Sequence, residues 1–238
     1  MPVKKLEHHL IWLSIFSVSM AFLESAVVVY LRKIYYPDGF DFPLSPIGSS
    51  VAITELIREL ATLIMLFSIS FITGKTLKQR FAYFLLCFAI WDIFYYLFLY
   101  LLIGWPPSLL TWDILFLLPI TWVGPVIAPI IVSLTMIGAA LYILFRKRKD
   151  KIIRLDTLTW IFFIAGSFLI FLAFVWDYSS FILENYSVKE LWNLTGDPAL
   201  FDISYNYIPR HFNWFLFIAG ELIVFTGIIL LGTRKRKF

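Results

Sequence analysis

Six stretches of about twenty apolar residues, bounded by prolines, glycines or basic clusters, decide what this chain can fold into. They run over residues 10–31, 51–73, 81–103, 125–145, 157–177 and 212–232. A helix rises about 1.5 Å per residue, so about 20 such residues cross the hydrocarbon core of a bilayer. The chain is 61% hydrophobic and only 15% charged, where soluble domains hold about a quarter charged residues. That apolar surface exceeds what a water-soluble fold of this size buries. The expected fold class is all-α: a polytopic, multi-pass integral membrane bundle of about six transmembrane helices, forming one domain over 1–238.

Basic residues give the expected orientation. Lys4 and Lys5 precede the first span as in a signal peptide, but no small-residue cleavage site follows, so a retained span is expected. Fifteen Lys and Arg lie in the two tails and in the second and fourth connections, and four lie in the remaining connections. By the positive-inside rule both termini are expected in the cytoplasm, with the plasma membrane as the expected location. The run 146–154 reads as a topology anchor that could also attract anionic lipid. With the basic residues spent on topology, the net charge of +4 is no nucleic-acid signature. Cys87 is the only cysteine, which excludes an intrachain disulfide and a thiolate metal site.

The connections expected outside are distinctive. The first, 32–50, carries Tyr35-Tyr36-Pro37-Asp38-Gly39 and then Pro43 and Pro46, a pattern of turns and extended chain. After Gly104-Trp105-Pro106-Pro107, the stretch 109–145 is too long for one straight span. Residues 109–118 read as a short helix that is interfacial or re-entrant, with Pro119 and Pro125 marking a break before span four. A single kinked span is the competing reading. Trp105, Trp112 and Trp122 read as an interfacial aromatic belt. The connection 178–211 is expected to fold over the outer mouth as a cap. It contains a capping-box pattern at Ser187–Glu190, a helix stop at Gly196 and glycosylation sequons at Asn185 and Asn193.

Charges inside spans are the candidate functional residues. Each costs about 2.5–3.5 kcal/mol at the bilayer centre on insertion scales, so such residues turn toward the bundle interior or a wet cavity. Counted from the outer span ends, the helical rise puts Glu55 at about 6 Å, Glu24 at about 10 Å, Glu59 at about 12 Å and Asp92 at about 16 Å. Glu221 is also deep, flanking Gly220 at what reads as a tight helix contact. Arg58 lies three residues from Glu55 and can pair with it or with Glu24, leaving Arg32 to snorkel outward. Asp113 adds acid at the outer rim. Tyr95 and Tyr96, at i+3 and i+4 from Asp92, could hydrogen-bond it. The plainer readings are a helix-dipole acid for Glu55, a structural ion pair for Glu24 and ordinary packing for Asp92.

A polar pocket of Glu24, Glu55, Arg58, Glu59, Asp92, Tyr96 and Asp113 is therefore expected in the outer half. Its carboxylates are hard ligands suited to calcium, magnesium or manganese. However, no Glu-x-x-His pair is present and the three histidines lie near interfaces, so no metal and no cofactor is expected. No catalytic residue is assigned, because no nucleophile motif occurs. The function expected is binding of a small polar or ionic solute, for transport or sensing. The alternatives are a membrane-embedded enzyme acting on a lipid or lipid-linked substrate, and a structural subunit of a larger membrane complex. The expected partners are the bilayer, the solute and, on the last reading, membrane-complex proteins.

Overall fold

The computed structural model describes residues 3–146, 156–185 and 205–233. Residues 147–154 of the basic run, the tail Arg234–Lys237, the capping-box pattern, Gly196 and residues completing both sequons lie outside the described residues. Among the described residues six helices form, one for each apolar stretch: α1 Val3–Tyr35, α2 Ser49–Thr73, α3 Leu77–Ile103, α4 Ile127–Arg146, α5 Thr157–Asn185 and α6 Trp214–Thr233. All six are long and apolar enough to cross a membrane. The chain is an all-α, multi-pass helical membrane bundle.

Local chemistry sets several helix ends. The Thr76 hydroxyl accepts from the Gln79 amide at the start of α3, and Gly104, at φ 65°, ends it in the left-handed region. Asp156 accepts from the backbone N–H of Thr159 at 2.9 Å and caps α5, and Asn213 accepts from Leu216 at 3.1 Å and caps α6.

One expectation is overturned between α3 and α4. Residues 109–118 form no helix, and the single kinked span does not form either. Trp112–Phe116 is strand β1 and Trp122–Pro125 is strand β2, paired antiparallel with Trp112 opposite Pro125 and Asp113 opposite Gly124. Two backbone bonds, Val126 N–H to Thr111 O and Ile127 N–H to Leu109 O, extend the pairing into α4. The physical reason is that the ten residues 109–118, eight of them apolar, lie between prolines and are too few for a stable helix. They are also rich in aromatic and β-branched side chains that favour strands. Non-helical backbone of this kind is tolerated at membrane depth only when packed within protein.

Helix α3 is the hub. It packs against α1, α2 and α4 and buries residues on several faces, among them Tyr83, Cys87, Trp91, Asp92 and Leu99. Helix α5 pairs with α6, and this pair meets the hairpin through β2. The α5–α6 crossing is close because Gly166 and Gly220 face each other. A Cβ on Gly220 would lie 2.8 Å from the Gly166 carbonyl oxygen, and the reverse contact would be the same. Small residues allow such approach in membrane helices. Helix α2 buries a polar stripe of Glu55, Glu59, Thr62 and Ser70 and exposes Ile57, Ile64, Phe67 and Phe71. Polar side chains turn inward and apolar ones outward because the surrounding solvent is lipid.

Candidate functional site

The ionisable groups of α1, α2, α3 and the hairpin gather at the end of the bundle that the hairpin closes. On α2, Glu55, Arg58, Glu59 and Thr62 follow three- and four-residue spacing and share a side of the helix. Arg58 bridges two helices: its Nη1 contacts Glu24 of α1, while its Nε and Nη2 each lie 2.7 Å from Glu55 Oε2. The Thr62 hydroxyl donates to the other Glu24 oxygen at 3.1 Å. Glu59 forms no ion pair among the described residues. Both of its oxygens accept the Leu117 amide N–H at 3.0 Å. That bond satisfies a backbone donor in the turn between β1 and β2, where water is scarce.

A second ion pair lies beside the first. Arg32 Nη2 donates to Asp113 Oδ1 at 2.9 Å, and the Tyr96 hydroxyl donates to Asp113 Oδ2 at 3.3 Å. The Arg32 guanidinium sits in the corner formed by two edge-to-face rings, 3.7 Å from the Trp105 centroid and 4.2 Å from that of Phe40. Arg32 is only 8% exposed, which corrects the expectation that it snorkels outward. Its aromatic corner and carboxylate partner make burial favourable. The belt reading of the tryptophans is corrected as well. Trp105 is buried on Arg32, Trp112 packs edge-on against Phe212, and Trp122 stacks on Phe174.

Asp92 is the deepest member on α3 and is 8% exposed. Its hydrogen bond comes from α4, where the Ser133 hydroxyl donates to Oδ2 at 2.8 Å. Tyr96, four residues on, turns to Asp113 instead, and Tyr95 lies within electrostatic reach of Asp92, Asp113, Arg32 and Arg58. Asp92 therefore faces the network with no cation of its own among the described residues. Glu221 stands apart. Thr135, two residues along α4 from Ser133 and so on the opposite side of that helix, donates to Glu221 Oε2 at 2.7 Å.

Connecting segments close over this end. The Tyr207 hydroxyl donates to Asp177 Oδ2 at 2.7 Å, and the amides of Arg210 and His211 donate to the same carboxylate at 3.0 Å. Burial, and then the Asp177 carboxylate, push the Tyr207 phenol well above its ordinary range, so it remains a donor. Tyr205 both donates to the Ile47 carbonyl and accepts from its amide, joining the segment before α6 to that before α2.

The structure thus brings Glu24, Glu55 and Arg58 into direct contact, and Tyr96 and Asp113 likewise. It places Glu59 on the hairpin turn and Asp92 on Ser133. Thr62 and Ser133 belong to the network but were not singled out in the sequence, and Arg32 was expected outside the pocket. Serines and threonines in spans ordinarily bond their own preceding turn, as Ser17, Ser70 and Thr226 do here. Only the deep carboxyls opposite them could have flagged Thr62 and Ser133. Among the described residues no three of His, Cys, Asp and Glu group so as to hold a metal ion. No protein-family model matches the chain, and no curated protein or solved structure matches it significantly.

Proposed function

We propose that this chain binds a small cationic solute at the hairpin-closed end of its bundle, for transport or sensing. Both termini would lie in the cytoplasm and that end would face outward across the plasma membrane. The observation that carries the reading is a charge imbalance. Glu24, Glu55, Glu59, Asp92 and Asp113 are buried, while among the described residues Arg32 and Arg58 are the only guanidinium groups that meet them. Five carboxyls against two cations leave three acids uncompensated. An ionised carboxylate out of water is costly unless paired, so the surplus acids take protons or an incoming cation. Asp92, with a hydroxyl as its hydrogen-bond partner, is the group best placed to exchange one for the other.

Purified protein in proteoliposomes on a solid-supported membrane tests this with pulses of sodium, potassium, guanidinium and acid. Saturable currents are expected for at least one pulse and are expected to vanish in Asp92→Asn, with expression intact. Currents unchanged in that variant, or none in the wild type, overturn the reading.

A second reading, a structural subunit, draws on the fact that both ion pairs join separate elements, α1 to α2 and α1 to β1. Under it, the charged variants lower stability and change no current.

A further inference from the structure

A second site lies on the other side of α4, independent of the network above. Among the described residues, Glu221 is the only ionisable one lining either of two cavities, and it lines both. The first, about 140 Å³, sits between α3, α4, α5 and α6 and is walled mainly by Phe81, Leu85, Val132, Met136 and Ile170, with Thr135 and Ser167 as its other polar residues. The second, about 400 Å³, is a wholly apolar groove apart from Glu221, formed by Ile131 of α4 and by Trp214, Phe217, Ile218, Leu222 and Phe225 of α6. Ile218, Leu222 and Phe225 are each more than half exposed, so this groove opens on the lipid-facing surface. Glu221 is the residue common to both linings.

Its bonding is incomplete. Oε2 accepts from Thr135, but Oε1 is buried without a partner among the described residues. A carboxylate oxygen at this depth costs free energy until a donor, and preferably a cation, reaches it. Turning the terminal carboxyl, a soft torsion, presents Oε1 to either cavity. The walls favour an apolar body, and a dry cavity of about 150 Å³ admits a benzene-sized group.

We propose that the Glu221 cavity binds a small lipophilic amine that enters from the bilayer through the α4–α6 groove, its ammonium on Glu221 and its apolar body among the Phe81, Leu85 and Ile170 walls. The amine is preferred over a neutral alcohol because it supplies both donors and the compensating charge. An alcohol would leave an ionised carboxylate uncompensated.

The test uses full-length protein in nanodiscs and 4-fluorobenzylamine, observed by fluorine magnetic resonance. Saturable binding is expected, at least tenfold tighter than for 4-fluorobenzyl alcohol. Glu221→Gln is expected to weaken it at least tenfold. Ser167→Leu, which fills the cavity and keeps the carboxyl, is expected to do the same. Glu184→Gln, which removes an exposed carboxyl from the same helix pair, is expected to leave it within twofold. Absence of saturable binding, equal binding of the alcohol, or wild-type affinity in either cavity variant that elutes as a monodisperse species overturns the proposal. Because the readout is binding at Glu221, it stands or falls separately from the current measurements on Asp92.

Discussion

Arg58 holds two carboxyls from two helices with one guanidinium, and removing it leaves both without a cation. Arg58→Leu is expected to destabilise the fold by about 3–5 kcal/mol, the usual cost of orphaning a buried charge. Combining it with Glu24→Gln and Glu55→Gln should recover most of the loss, because the orphaned charges go too. Thermal unfolding in detergent checks both. Arg32→Lys is a sharper probe than its conservative look suggests. A lysine keeps the charge but loses the planar guanidinium that packs on Phe40 and Trp105, and it should cost about 1–2 kcal/mol in the same measurement. At this scale the sequence was partly legible. Deep charges at helical spacing pointed to a meeting of Glu24, Glu55 and Arg58, since depth and i,i+3 spacing leave few other partners. The Arg32–Asp113 pair was not legible, because an arginine at a span end has an equally good route to the headgroups. Nor were Ser133 and Thr135, whose neighbours in sequence say nothing about the carboxyls across the helix interface.

Among the elements, the hairpin and the α5–α6 crossing carry the clearest tests. Glu59 anchors the hairpin turn through the Leu117 amide. Glu59→Leu should free that amide, seen as hydrogen exchange at Leu117 at least tenfold faster than in the wild type, while Glu59→Gln keeps an acceptor and most of the protection. At the crossing, Gly220→Ala places a methyl 2.8 Å from the Gly166 carbonyl oxygen and should cost about 1–3 kcal/mol through overpacking. Gly138→Ala on α4, where a Cβ meets nothing within 4 Å, should instead stabilise by about 0.5–1 kcal/mol. The long helices were legible because twenty apolar residues admit one structure in lipid. The hairpin was not, since a ten-residue apolar run fits a short helix or a strand equally well. Pairing with residues 122–125 decided between them, and that is a tertiary fact.

Over the whole molecule, topology is open to a direct measurement because Cys87 is buried and gives a silent background. On the proposed orientation, Asp38→Cys reacts with a membrane-impermeant maleimide in intact cells. Leu77→Cys, 70% exposed at the opposite end of the bundle, reacts only after permeabilisation. The reverse pattern would invert the assignment of faces.

The Arg32–Asp113 bond also bears on biogenesis. Its two partners are 81 residues apart, and a ribosome adds about 5–20 residues per second, so roughly ten seconds separate their emergence. Throughout that interval the nascent first helix carries a guanidinium whose carboxylate has not yet been translated. An insertase must shelter that helix, or leave it shallow, until the hairpin arrives to draw it into register. Chains truncated just before residue 113 should therefore be cleared by membrane quality control faster than chains ending just after residue 126.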